Sequence, residues 1–353
     1  MNAEGTSQPG FLAIELDGAG WDGADLTRAV LAADSAGFHA ASFTDAPAPG
    51  RANALQRAAF AGPISRTIAL VPEVDTVYTE PFHISTQLAS LDYVSGGRAG
   101  WIATAAESPE AAAAVGRSSV NGAALGQEAA ASIEVSRRLW DSWEDGAVIR
   151  DVATGRYIDV DKLHYVDFET PAGFAGPGYS VKGPSIIPRP LQGQLPVLAP
   201  ASLLDELPVD AVDAVLVSAP TAELLASEVR DVRARAGAGV AVIAELDVVL
   251  DARGQAAASR DAFDNGRAAY AGSAAGLTGF LADLLKEADG VRLHPASLFV
   301  ELEELARLVL PELRRRGALR PIVQDGTFRD LLGLPRPASR YATGSSAPAN
   351  ARK

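Results

Sequence analysis

The chain has 353 residues, 48% of them hydrophobic, a formal net charge of −13 and no cysteine. That content suits one sizeable globular core, while the acidity speaks against a nucleic-acid binder or an anionic membrane surface, each of which asks for a basic footprint. Thiol chemistry and cysteine metal sites are excluded, no apolar run reaches the ~20 residues of a membrane span, and residues 1–10 carry no secretion signal, so a cytoplasmic protein is expected.

In chain order, short apolar runs of strand type alternate with helical patterns. FLAIEL (11–16) reads as a first strand, and LTRAVLAADSAG (26–37) as a helix with apolar positions at helical spacing and a glycine stop. AASFT (40–44) is a second strand, 53–65 a helix, IALVPEV (68–74) a third strand and 82–94 a helix. RAGWIAT (98–104) is a fourth strand, followed by a long helix over 127–143. Residues 144–195, rich in Gly, Pro and Asp, read as an excursion with a small hairpin at 179–187. PVLAPA (196–201), AVLVSA (214–219), a strand within VAVIAELDVVL (240–250) and GVRLHP (290–295) resume the alternation, with helices at 222–236, 277–288 and 298–316. Eight apolar strands alternating with helices predict an α/β fold with a parallel sheet buried on both faces, and eight is the number that closes a (β/α)8 TIM barrel. A doubly wound open sheet is the competitor and would carry a glycine-rich fingerprint after a strand. Residues 1–10 and 342–353 are expected to be disordered, leaving one barrel domain over 11–341 with its excursion at 144–195.

The usual chemical motifs are missing. There is no phosphate loop of the GxxxxGK[ST] type, no GxSxG elbow, and no ligand-spaced pair among His39, His83, His164 and His294. With neither thiols nor a metal motif, redox chemistry would need an organic cofactor. Barrel sites lie at the C-terminal ends of the strands. Asp45, Asp75 with Thr76, the stretch 101–106 and the stretch 199–202 fall there. Each has an ordinary alternative: a cap or solvated loop for Asp45, a strand-end hydroxyl for Thr76, a core plug for Trp101. Trp140 and Trp143, three apart on a helix, are expected to pack, and the arginines at 314–316 to end a helix in solvent.

TVYTEPFHISTQLASLDYVSGGRAGW (76–101), RRLWDSWEDGAVIRDVATGRY (137–157), YSVKGPSIIPRPLQGQLPVL (179–198), VLPELRRRG (309–317) and FRDLLGLPRPASRY (328–341) resemble, in order, segments of the bacterial luciferase-like flavin-dependent monooxygenases. Within them the chain is similar to the group that acts on nitrilotriacetate, pristinamycin precursors and dibenzothiophene sulfone. The resemblance implies that a separate flavin reductase supplies reduced FMN (FMNH2), that a C4a-peroxyflavin forms at the barrel mouth, and that a small organic substrate is oxygenated. It carries over Asp45 and Thr76 as residues lining the flavin site, with Thr104 and Ser202 as the nearest equivalents of two further contacts. The phosphate would then rest on backbone N–H groups and a helix N-terminus, which serve even in an acidic protein.

Several family positions differ. Ile102 replaces an asparagine, and Ala105 and Ala106 follow Thr104 where a Thr-Ser pair is usual. Gly122 and Gly126 stand for a histidine and a tyrosine, Thr86 for an arginine, and PASLL (200–204) for the usual end of the fifth strand. The stretch between Ala258 and Leu277 is shorter than usual. Each hydrogen bond lost from a buried ligand costs about 0.5–1.5 kcal/mol, or about 1.5–3 when charged, so three or four losses weaken FMN binding by several orders of magnitude. Three readings follow: a monooxygenase with a reshaped pocket, a non-catalytic partner subunit or small-molecule binder that pairs with a paralogue, and a deazaflavin-dependent oxidoreductase. A homodimer or higher oligomer is expected for the first and a hetero-oligomer with a paralogue for the second.

Overall fold

A computed structural model describes residues 8–17, 23–45, 52–208, 210–237, 239–260 and 265–342. In chain order the strands are β1 (Phe11–Glu15), β2 (Ala40–Phe43), β3 (Ala69–Asp75), β4 (Trp101–Thr104), β5 (Val148–Asp151), β6 (Arg156–Ile158), β7 (Phe168–Glu169), β8 (Ser180–Val181), β9 (Val197–Pro200), β10 (Ala214–Val217), β11 (Ala241–Leu250), β12 (Ala269–Gly272) and β13 (Gly290–Pro295). The helices are α1 (Gly23–Ala36), α2 (Ala54–Ala61), α3 (Pro81–Ser95), α4 (Pro109–Ala114), α5 (Ala123–Asp141), α6 (Ala222–Ala236), α7 (Ala274–Leu284), α8 (Leu298–Glu304), α9 (Leu310–Arg315) and α10 (Phe328–Leu332).

Eight parallel strands run in the order β1-β2-β3-β4-β9-β10-β11-β13, and β13 pairs back onto β1 to close the barrel. β12 extends the long β11 beyond the wall. The closure follows from the period of two along each strand. In β1, Phe11 and Ala13 join an inner cluster with Ala40, Val71, Ile102, Leu198, Leu216 and Ile243. Leu12 and Ile14, the alternate positions, join the outer cluster that packs against the helices, with Leu70, Ala103, Val215, Ala244 and Leu293.

The N-terminal end of the barrel is closed by Phe328, which α10 delivers beneath the strands. A capping box between Thr327 and Asp330 fixes that short helix. Gly100 makes the close approach possible, because a Cβ there would stand 2.4 Å from the Phe328 ring.

The expected hairpin over 179–187 does not form. β8 pairs instead with β7 across a loop of ten residues (170–179), and Pro184, Pro188 and Pro190 deny the following segment a ladder. A tighter antiparallel pair in the excursion is β5 with β6, turned by Asp151, whose carboxylate accepts from Ala153 N at 3.0 Å. The helix expected over 298–316 is broken by a π turn at Leu305–Val309, just ahead of Pro311, which has no N–H to give the α-helical ladder. Of the first ten residues, 8–10 are described, and Gly10 N donates to Ala318 O at 2.9 Å. Residues 1–7 and 343–353 lie outside the described ones.

Candidate functional site

Alternate positions of four strands carry charge into the C-terminal half of the barrel: Glu15 on β1, Glu73 on β3, Glu245 and Asp247 on β11, Arg292 and His294 on β13. They form one network. The Arg292 guanidinium reaches Glu73 Oε1 at 2.6 Å, Glu245 Oε1 at 3.0 Å, Glu15 Oε2 at 3.1 Å and the Ser42 hydroxyl at 2.8 Å. One side chain therefore ties β13 to β1, β2, β3 and β11. His294 lies between Glu15 Oε2, 2.7 Å from Nδ1, and Glu245 Oε1, 3.3 Å from Nε2. Above them Arg267 pairs with Asp247 at 2.7 Å, and the buried Asp247 Oδ2 and Arg267 Nε have no hydrogen-bond partner among the described residues.

Burial opposes ionisation of Glu15, yet His294 and Arg292 outweigh it and hold its pKa at about 2. Glu245 is likewise lowered against its burial by His294 and Arg292. Glu73 goes the other way: burial raises it, the like charges of Glu15 and Glu245 add to this, and Arg292 only partly offsets them. The well thus holds two fixed anions, one fixed cation whose pKa its carboxylates raise despite complete burial, and one carboxyl that keeps its proton more readily than an ordinary glutamate.

Three of the four residues expected to meet a cofactor gather at the mouth of this well. Thr76 is buried, and both its N and its Oγ1 donate to Thr104 O, at 2.8 and 2.9 Å. Asp45 is half-buried and close enough to Asp75 to add to the rise that burial causes in the Asp75 pKa. Ser202 is not brought in: it is exposed on the short turn Ala201–Leu203, while its neighbour Leu203 is buried in the outer core. Replacing Thr76 by valine removes a buried donor and is expected to cost about 0.5–1.5 kcal/mol in a urea unfolding curve. A loss near zero would show that the backbone bond from Thr76 N alone satisfies the Thr104 carbonyl.

The substituted family positions have visible consequences. Ile102 is buried in the inner core. Thr86 Oγ1 turns back to Phe82 O of its own helix at 2.8 Å. The space at Gly126 is filled, since a Cβ there would lie 2.1 Å from Glu206 Cβ. Gly122 is different: a Cβ there would meet nothing within 4 Å, and it stands as N-cap of the 19-residue α5 with no side-chain cap bond. Because α5 follows β4 along the barrel, its N-terminus faces the mouth. Arg117 lies alongside, bonded to Glu128 of α5 at 2.7 Å and to Val77 O. The carboxylates within the strands were not foreseen as site residues, although FLAIEL, VPEV and GVRLHP place charge two residues from a neighbour on the same face.

The family model for luciferase-like monooxygenases matches residues 8–341. The chain belongs to the luciferase-like monooxygenase family. Among its relatives is the N-acetyl-S-(2-succino)cysteine monooxygenase of Bacillus subtilis (strain 168), 37% identical over 139 residues, which are 39% of this chain and 30% of that protein. One component of the pristinamycin IIA synthase of Streptomyces pristinaespiralis is 34% identical over 57% of this chain and 68% of its own length. Nitrilotriacetate and dibenzothiophene-sulfone monooxygenases are relatives as well. The first relatives are thus matched over less than a third of their length. EDTA monooxygenase from Chelativorans sp. BNC1 has the same fold, with a TM-score of 0.74, 18% identity, and coverage of 93% of this chain and 99% of that one. Among the described residues of this luciferase-like chain no group of three or more His, Asp or Glu is arranged to hold a metal, and no helix is long and apolar enough to cross a membrane.

Proposed function

We propose that the chain is an FMNH2-dependent monooxygenase acting at the C-terminal mouth of its barrel, with reduced FMN delivered by a separate flavin reductase. The observation that carries this reading is the uncapped N-terminus of α5, at the same end of the barrel as the charged well. A flavin mononucleotide brings a phosphate dianion, which needs N–H donors and positive potential. Gly122 gives the first turn of α5 no side-chain cap, the α5 dipole places its positive end there, and Arg117 is held further along the helix by Glu128. The group therefore fits, held by backbone amides where relatives use side chains. The closure at Gly126 by Glu206 narrows the same place.

Bound there, reduced flavin would supply the electrons that activate dioxygen, one oxygen atom passing to the substrate and the other to water. The chain's own residues set the surroundings. Glu15, Glu245 and Arg292 are locked by mutual hydrogen bonds and form a preorganised charge pattern that needs no rearrangement during reaction. Glu73, whose Oε1 Arg292 grips, keeps a proton more readily than an ordinary glutamate because of its burial, and it is the carboxyl of the well suited to give or take one. Thr76 and Thr104 lock the ends of β3 and β4 together, and the apolar Ile102 below them keeps water from the inner barrel.

An anaerobic titration followed by fluorescence and calorimetry tests the reading. Reduced FMN is expected to bind at micromolar concentration and more tightly than oxidised FMN. Tighter binding of a reduced deazaflavin would replace the proposal with a deazaflavin-dependent oxidoreductase. No binding of any flavin would favour a non-catalytic partner of a paralogous chain, the reading to which the Glu206 closure lends support.

A further inference from the structure

The structure points to a second ligand site at the opposite end of the barrel, and we propose that it takes a small monocarboxylate with an apolar body the size of a benzene ring. A cavity of about 200 Å³ lies beneath the barrel floor, at the N-terminal ends of β2 and β3, covered by the segment 320–331. An engineered cavity of about 150 Å³ is enough to take up benzene, so a ring with a carboxylate fits this volume. The walls are largely apolar, with Ala69, Ile322, Val323 and Phe328 among them.

Two arginines line this apolar space, and among the described residues neither touches a carboxylate. Arg98 is buried and donates from Nη1 to Ser65 Oγ and Ile68 O, and from Nη2 to Gly62 O and Ser65 O. Arg320 donates from Nε to Pro9 O at 2.8 Å and from Nη1 to Leu331 O. A guanidinium has five N–H donors, so Arg98 keeps its Nε hydrogen and Arg320 its Nη2 pair without partners among the described residues. Asp34 and Asp289 act on the two charges only through space. His39 adds no charge: its Nε2 lies 2.9 Å from Arg320 O and its Nδ1 accepts from Leu12 N, while burial, with Arg314 and Arg320, holds its pKa at about 4. Asp330 on the rim is occupied by Thr327, whose N and Oγ1 donate to it at 2.9 and 2.8 Å. Asp330 keeps its charge, so the lining holds two guanidiniums against one carboxylate, a net positive charge in a protein of net charge −13, and a cation removed from water without a full counter-charge is costly unless an anion joins it. An anionic head on an apolar body answers both features.

Calorimetry with benzoate, with the neutral isostere benzamide, and with acetate, which has the charge without the body, tests the proposal on the full chain. A ligand of nine heavy atoms is expected to reach a Kd on the order of 0.1–1 mM. Benzamide and acetate are each expected to bind at least tenfold more weakly. Ile322→Trp, which fills the space, should abolish benzoate binding, and Arg320→Gln should weaken it about tenfold, while flavin binding at the opposite end stays unchanged. Equal affinity for benzamide, or benzoate binding retained in the tryptophan variant, would overturn the proposal. Should either variant fold poorly, hydrogen exchange on the unaltered protein decides: benzoate must slow exchange across 320–331, and unchanged exchange there sinks the idea. The site and its test are independent of the flavin reading.

Discussion

Replacing Arg292 by methionine is expected to destabilise the protein by about 3–5 kcal/mol at pH 7, the cost of removing one partner from a buried ion pair. Arg292 is the cation shared by Glu15, Glu73 and Glu245, so its loss leaves three carboxylates facing one another inside the barrel. The effect depends on pH in a definite direction. In the unaltered protein the Glu15 pKa falls from 4.5 to about 2, so its contribution to stability is present above pH 4.5 and is lost as pH drops towards 2. In the variant Glu73, whose burial Arg292 alone offsets, is raised further above its unfolded value, and stability is lost as pH rises through that raised value. The two proteins should therefore differ least near pH 4 and most near pH 7. Urea unfolding at both pH values measures this. A difference below ~1 kcal/mol at pH 7, or one that does not shrink on acidification, would mean that water enters the well and screens the charges.

Replacing Ala123 by aspartate is expected to have opposite effects on fold and on ligand. The position is exposed and opens α5, where an added carboxylate interacts favourably with the helix dipole and raises stability by about 0.3–1 kcal/mol. The same charge stands where the FMN phosphate is proposed to rest. At an effective dielectric of ~20, repulsion over some 8 Å amounts to ~2–4 kcal/mol for a dianion before salt screening, so affinity for reduced FMN should fall 10- to 100-fold. The combination of a higher melting temperature with weaker flavin binding separates a local electrostatic effect from damage to the fold. Unchanged flavin affinity would remove the α5 N-terminus from the site.

The barrel was legible because its strands are apolar runs set between helical periods, and the count of eight closes the sheet. Where local chemistry punctuates sharply, boundaries fell in place. Thr221 caps α6 and Gly237 ends it, and β13 opens at Gly290 directly after Asp289. The excursion was less legible, since β7 and β8 are two residues each and depend on tertiary contacts such as Phe168 against Tyr179. The site was legible only at its rim. Asp45, Thr76 and Thr104 sit at strand ends, where a sequence reading looks first, whereas the bond from Thr76 to Thr104 O depends on the register of β3 against β4. The well escaped because its acids lie inside strands, and an isolated Glu in an apolar strand does not reveal that three other strands bring it an arginine, a histidine and two more carboxylates.

The Phe328 plug has a bearing on how the molecule is made. The ring that closes the floor under β1 lies more than 300 residues downstream of Phe11, as does the clamp in which Arg329 N donates to Gln192 Oε1 and Arg189 reaches Pro337 O. β13, the closing strand of the wall, is also late in the chain. During synthesis β1 must wait with one edge unpaired and the inner core open from below until residues 290–328 have left the ribosome. For most of its translation this protein is therefore an open curved sheet with an unplugged base, and that interval is when it most depends on chaperone protection.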